Sequence, residues 1–389
     1  MTTRSLAESF DPRSNSIGFL RWFLAFMVIF SHAGPLAGFY GGRDLGTQWS
    51  DEQSFGGVAV GGFFFLSGYL ITTSRLSRAS TARFFWRRVL RIMPAFWTAF
   101  IVTAFALAPL AYWRVNGSLD GFFTTNNDSP FTYISQNMFL ILGQPSIAGL
   151  GPGIPYSSGI WNGSAWTLAY EFGAYIIVGI LGLVGALRYK AVAGAFAIGI
   201  IGLAVLQWTR AGNIGMAGDL FADFRVLLLL APFCFGILFA LFGDRIPIDD
   251  KLGVLALVVA ALTYGFGGWL AIGQYFFFYF LMWFAIRIRF LRNWERFGDF
   301  SYGIYIFAWP VQQFVAYFGV HNWGWFAYHA IVVVIVHVLA FASWHLIESP
   351  AMSLKNWTPR WLDAVTASIA SLRDRRRRSS QTETTEAVQ

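Results

Sequence analysis

Long apolar stretches recur along the whole chain of 389 residues and limit it to one broad class of fold. A helix that crosses a bilayer needs ~20 predominantly apolar residues. Only 12% of the residues are charged, against ~25% in a typical soluble protein. The sequence therefore predicts an all-α polytopic membrane protein with about ten transmembrane helices. The candidate spans are 16–34, 55–74, 91–112, 164–186, 191–208, 224–242, 252–269, 271–289, 299–319 and 325–347.

The Lys and Arg residues between these spans indicate their orientation, because cytoplasmic loops carry an excess of both. With the N-terminus placed inside and the spans alternating, the outside segments hold only Arg43, Arg114 and Arg210, with Arg225 near a boundary. Both termini are therefore expected in the cytoplasm. The net charge of +8 reflects this bias and a basic tail that meets anionic lipid, so no nucleic-acid partner is expected.

Composition divides the chain into three parts. Residues 1–15 form a polar cytoplasmic segment without the features of a signal peptide, 16–350 form one transmembrane domain, and 351–389 form a basic, partly disordered cytoplasmic tail. The longest gap between spans, 113–163, is expected outside, as a functional loop or as a passive connector. Three of its aromatic residues, Tyr133, Tyr156 and Trp161, could stack on sugar rings, although aromatic residues are also common at membrane interfaces.

The first span carries two polar residues on one face. Arg21 and His32 are eleven positions apart, which at ~100° per residue returns to the same side of a helix, about 16 Å further along its axis. With the N-terminus inside, Arg21 lies near the cytoplasmic edge and His32 in the outer part of the membrane. The alternative is that Arg21 only extends to the interface and His32 only caps a helix end.

A second basic cluster lies where the third span enters the bilayer. Arg88 and Arg91 are three residues apart and face the same way on a helix. Guanidinium groups bind two oxygens at once and suit a phosphorylated ligand. The alternative is an anchor that merely meets lipid phosphate.

Glu171 in the segment WTLAYEF lies roughly two turns into the fourth span, at a depth comparable with His32. A carboxylate beside His32 would fix its tautomer and support the imidazolium, leaving the other nitrogen as a base. The alternative is a structural hydrogen bond to Glu171.

Four further residues are weaker candidates. Ser67 is expected to pack rather than act as a nucleophile, because its surroundings do not form a GxSxG elbow. Ser301 and Tyr302 begin the ninth span, and Glu348 at the inner end of the last could pair with a cytoplasmic arginine. The sequence contains no HExxH or equivalent set, so no metal is expected.

Together these motifs resemble the membrane acyltransferase-3 family, the bacterial integral-membrane O-acyltransferases. Six elements occur in family order: the Arg21–His32 pair, FFFLSGYLIT, FFWRRVLRIMPAFW, WTLAYE, SYGIYIFAWP and LIESP. Two positions depart from the family, with LRWF in place of LRG and LIESP in place of LIERP.

The resemblance implies a multi-pass enzyme of the bacterial inner (cytoplasmic) membrane. It would transfer an acyl group, usually acetyl, from cytoplasmic acyl-CoA to a hydroxyl of a carbohydrate, glycolipid or other cell-envelope acceptor such as a polysaccharide. His32 matches the catalytic histidine of the family, and Arg21, Arg88 and Arg91 match its essential arginines. No fused esterase-like domain is seen, so transfer would be direct or through a separate extracytoplasmic partner enzyme.

Three functions remain to be compared. In the enzyme, His32 oriented by Glu171 deprotonates the acceptor hydroxyl, which attacks the thioester directly; a covalent acyl-enzyme is a variant. A transporter or flippase would also place Arg, His and Glu inside the membrane. A non-catalytic scaffold would tolerate substitution of all three.

Overall fold

The computed structural model describes residues 4–77, 80–125, 127–150, 159–209, 224–292 and 294–357. Ten helices dominate this part of the chain, and each overlaps one predicted span. They are α1 (Ile17–Ala37), α2 (Phe55–Leu76), α3 (Thr81–Val102), α4 (Trp166–Leu183), α5 (Lys190–Thr209), α6 (Phe224–Leu241), α7 (Asp250–Phe266), α8 (Gln274–Arg287), α9 (Ser301–Tyr317) and α10 (Trp325–Ser343).

Shorter elements extend or connect these helices. A π-helical turn, Thr103–Leu107, and a helix, Ala108–Asn116, continue α3, and Trp344–Glu348 and Ser349–Ser353 continue α10 in the same way. A third π-helical turn, Trp269–Gly273, leads into α8. Short separate helices lie at Leu6–Ser9 and Pro130–Asn137.

Seven helical segments are long and apolar enough to cross a membrane: Ile17–Ala37, Phe55–Leu76, Thr81–Asn116, Gly163–Leu183, Lys190–Thr209, Trp269–Arg287 and Trp325–Asn356. The other three predicted spans correspond to α6, α7 and α9, which are shorter, so the count of ten is not confirmed. A helix of 17 residues, such as α9, is about 26 Å long, less than the ~30 Å hydrocarbon core. Fifteen of the α9 residues are buried, because this helix lies among its neighbours rather than against lipid.

The helices pack closely at small residues. α6 runs along α2, and the Gly68 and Gly236 backbones meet the facing helix directly. A Cβ on Gly68 would lie 2.0 Å from the Phe233 carbonyl oxygen, and one on Gly236 would lie 2.2 Å from that of Phe65. Glycine is required at such a close approach.

Both ends of the described chain lie at one end of the bundle. The strand Arg4–Ser5 pairs with Pro247–Ile248, and Arg87 Nη2 donates to Asn356 Oδ1 at 3.2 Å. We call this the basic end, and the other the opposite end. The arrangement agrees with an even number of crossings, while the assignment of the basic end to the cytoplasm stays a prediction.

The predicted sugar-stacking role of the 113–163 loop is wrong for two of the three aromatic residues proposed for it. Trp161 and Tyr133 are buried, and their rings stack on Tyr317 and Phe100 respectively. Neither ring presents a face to a ligand, because both belong to the hydrophobic core. Tyr156, Arg210 and the tail beyond Trp357 lie outside the described residues.

Candidate active site

α1 contributes to two separate cavities. Arg21 lines a cavity of about 410 Å³ at the basic end, which we call the inner cavity. His32 lines a second cavity of about 190 Å³, the outer cavity. Val60 and Tyr305 line both. The two polar residues of α1 therefore line two different cavities, which share the side chains of Val60 and Tyr305.

The inner cavity collects charged side chains from three helices, α1, α3 and α4, and from the connection between α8 and α9. All three arginines predicted to bind the donor lie there. The charged lining residues are Arg21, Arg87, Arg88, Arg91, Glu171, Glu295 and Asp299.

Asp299, which is not among the predicted site residues, joins two of these arginines. Its Oδ2 accepts from Arg21 Nη1 at 2.5 Å and from Arg91 Nη2 at 2.6 Å, and its Oδ1 accepts from Ser301 Oγ at 2.6 Å. Burial opposes the charge on Asp299, but Arg21 and Arg91 outweigh it and hold the pKa of this carboxyl well below its ordinary value. One signal could have identified it: an acidic residue that follows closely on the basic connection containing Arg292 and Arg296.

Arg88 differs from Arg21 and Arg91 in its partners, which are aromatic rings rather than a carboxylate. Its guanidinium lies over the rings of Phe84 at 5.9 Å and Tyr175 at 5.8 Å. Its Nε is buried and has no hydrogen-bond partner among the described residues. Within that part of the chain no carboxylate forms an ion pair with Arg88, so its donors are available to a ligand in the inner cavity.

Glu171 faces the inner cavity and is not paired with His32. Its Oε1 accepts hydrogen bonds from Ser67 Oγ, at 3.0 Å, and from the Tyr175 hydroxyl. Tyr175 lies one turn further along α4 toward the basic end, and this bond turns the carboxylate that way. The predicted hydrogen bond between Glu171 and His32 is therefore wrong, while Ser67 gains a polar partner that packing alone did not require.

The other candidates have structural partners. The Tyr302 hydroxyl donates to the Ile92 carbonyl at 3.0 Å. Glu348 is buried and accepts from Ser343 Oγ at 2.9 Å. In the described part of the chain it forms no ion pair with an arginine, contrary to the expectation, because Asp299 occupies that role. The same residues contain no group of His, Cys, Asp and Glu that could hold a metal.

His32 lies in surroundings of a different kind. The described residues around the outer cavity are neutral and include Gln53, Ser54 and Gln274. His32 Nδ1 is buried without a hydrogen-bond partner there, and the imidazole contacts the Trp309 ring edge to face, with centroids 4.7 Å apart. Because no carboxylate or amide among the described residues forms a hydrogen bond with Nδ1, the imidazole can accept a proton from a ligand.

Comparisons with known proteins identify the family of this chain. The sequence model of a family described as Acyltransferase domain matches residues 14–345. The chain is 29% identical over 369 residues to the O-acetyl transferase of Shigella phage Sf6, covering 88% of this chain and 99% of the relative. It is 28% identical over 375 residues to Nodulation protein 10 of Rhizobium leguminosarum bv. viciae, covering 90% and 96%.

A shorter match, 30% identical over 99 residues, links it to Acyltransferase MdmB of Streptomyces mycarofaciens and covers 25% of each chain. No solved structure matches. The family match covers most of the chain and includes Arg21 and His32, and the chain is thus a member of the membrane acyltransferase-3 family, with the O-acetyltransferase activity that its relatives support.

Proposed function

We propose that this protein transfers an acetyl group from acetyl-CoA, bound in the inner cavity, to a hydroxyl of a carbohydrate or glycolipid acceptor in the outer cavity. One observation supports this most directly. The two cavities share Val60 and Tyr305, with the arginines on one side and His32 on the other. A thioester that reached this boundary from the basic end would meet an acceptor that entered from the opposite end.

The donor side rests on charge. Coenzyme A carries phosphate groups, and guanidinium groups are well suited to bind them. Arg88 supplies donors that no carboxylate of the described residues occupies, while Arg21 and Arg91 are fixed by Asp299. The basic end would face the cytoplasm of a bacterial cell, where acyl-CoA is present, across the inner membrane.

The acceptor side rests on His32. The imidazole would take the proton of the acceptor hydroxyl as its oxygen attacks the thioester carbonyl. The new ester C–O bond forms, the C–S bond breaks, and the proton then passes to the thiolate of coenzyme A. The neutral lining of the outer cavity suits an uncharged sugar hydroxyl.

His32→Ala tests this proposal. The assay measures transfer of radiolabelled acetyl from acetyl-CoA to an envelope fraction prepared from a strain that lacks the protein. We expect the rate of transfer to fall about 10²–10⁴-fold, the usual contribution of a general base. Binding of acetyl-CoA should be unchanged, because His32 lies outside the inner cavity. Transfer at the wild-type rate would refute the role of His32, and transport of a substrate without acetyl transfer would indicate the transporter instead.

A further inference from the structure

The position of His32 has to be explained without a carboxylate. In catalytic sites a histidine is usually held by a hydrogen bond to its second nitrogen. Here Nδ1 has no such partner in the described part of the chain, and Glu171 is directed into the inner cavity. The ring is nevertheless packed against the indole of Trp309.

Trp309 is itself fixed from the other side. Its Nε1 donates to the Ile160 carbonyl at 2.7 Å. Gly163 leaves room for the indole: a Cβ there would lie 2.6 Å from the ring atoms Cη2 and Cζ2. The tryptophan therefore sits between the segment that contains Ile160 and Gly163 and the imidazole of α1.

The same segment is attached to α9 over a full turn. Asn162 Nδ2 donates to the Ile306 carbonyl at 3.1 Å. The Tyr305 hydroxyl donates to the Ser164 carbonyl at 2.8 Å and pairs with Thr167 Oγ1 at 2.7 Å. These bonds fix the segment relative to α9. The Trp309 ring beside His32 and the Tyr305 ring between the two cavities are therefore positioned by the same segment.

We propose that Trp309, held by Gly163 and Ile160, is the positioning residue for His32 and takes the place of an orienting carboxylate. This inference rests on the proposed role of His32 as a base. The indole N–H is committed to Ile160, so Trp309 fixes the imidazole by edge-to-face contact and leaves its nitrogens free. An acetyl acceptor would then meet a base whose direction is set by packing.

Trp309→Leu should lower kcat about 10-fold to 100-fold, the range expected when a catalytic group is displaced by about 1 Å. The KM for acetyl-CoA should stay within about twofold, because Trp309 does not line the inner cavity. Trp309→Phe keeps an aromatic ring against His32 and should retain most of the activity. The assay is the radiolabelled acetyl transfer used for His32→Ala.

Phe122→Leu is the control for the loss of a buried aromatic ring. Phe122 is fully buried, but it lines neither cavity and lies outside the segment that holds Trp309. If it lowers kcat as much as Trp309→Leu does, the effect is one of folding and the proposal is wrong. Wild-type activity of Trp309→Leu would also overturn it.

Gly163→Ala gives an independent test if Trp309→Leu does not fold. Its Cβ should push the indole toward His32 and lower kcat, and Trp309→Phe in the same chain should restore activity, because the smaller ring lacks the clashing atoms. Gly173→Ala, where a Cβ meets nothing within 4 Å, should have no effect. No rescue by Trp309→Phe would contradict the proposal. Full activity of His32→Ala would refute the proposed function. If His32→Ala is inactive but Trp309→Leu and Gly163→Ala are both fully active, only this inference fails.

Discussion

The inner cavity is lined by seven charged side chains, whereas the described residues that line the outer cavity include no Asp, Glu, Lys or Arg. In the inner cavity, charges fix one another: one carboxylate holds two guanidiniums that come from α1 and α3. In the outer cavity, aromatic packing holds a single imidazole. Removing one partner of a buried ion pair destabilises the protein strongly, because the other charge is then buried without a partner. An aromatic contact contributes less to stability but fixes direction. Substitutions in the inner cavity should therefore affect stability more strongly than substitutions in the outer cavity.

The largest difference should appear in stability when Asp299 is removed. Asp299→Ala leaves Arg21 and Arg91, whose side chains are 22% and 16% exposed, without their carboxylate. Breaking a buried pair in this way costs about 3–5 kcal/mol. Thermal unfolding of the detergent-solubilised protein would measure it.

Asp244→Asn is the control for that experiment. Asp244 pairs with Lys190 at 3.2 Å on the exposed surface, and its loss should leave the unfolding temperature unchanged. Equal losses for the two variants would show that the inner cavity is no more dependent on its ion pairs than the surface is.

Arg88→Ala should separate ligand binding from folding within the same cavity. Hydrogen bonds to charged groups are worth about 1.5–3 kcal/mol, so the KM for acetyl-CoA should rise about 10-fold to 150-fold. Stability should change little, because no carboxylate pairs with Arg88 among the described residues. Arg88→Lys should recover only part of the affinity, since an ammonium lacks the planar fork. A large loss of stability with unchanged KM would place Arg88 with Arg91 as a structural residue.

Glu171→Gln tests whether the Glu171 carboxylate orients His32 or acts only within the inner cavity. If Glu171 oriented His32, the amide would favour the wrong tautomer and kcat would fall about 10⁴-fold. The structure instead predicts a change in kcat of less than about tenfold, because the amide oxygen can still accept from Ser67 and Tyr175. Steady-state kinetics at saturating acetyl-CoA distinguish the two results.

The smallest effect is the pH dependence of the Asp299 contribution. A carboxyl whose pKa is lowered on folding stabilises the protein above its ordinary pKa of 3.8, and this contribution is lost as the pH falls through the lowered value. The difference in unfolding free energy between wild type and Asp299→Asn should thus be constant from pH 7 to about pH 5 and shrink below about pH 4. A difference that already shrinks between pH 7 and pH 5 would mean that Asp299 is not held by the two arginines.

Local patterns predicted some of this site and missed the rest for physical reasons. The helical period placed Arg21 and His32 on one face of α1, and the three-residue spacing of Arg88 and Arg91 placed both on one face of α3. Depth alone suggested that Glu171 met His32. Depth does not determine the direction of a side chain about its helix axis, and Tyr175 and Ser67 turn the carboxylate the other way.

The amino-acid sequence by itself determined that the chain is helical and membrane-embedded and that it belongs to an acyltransferase family, because hydropathy, helical period and ordered motifs are properties of contiguous residues. Tertiary structure decided which residues are partners. Asp299 with Arg21 and Arg91, and Trp309 with His32 and Gly163, are contacts between segments far apart in the chain. Packing of the helices creates these contacts, and no local pattern encodes the direction in which each side chain meets its neighbour.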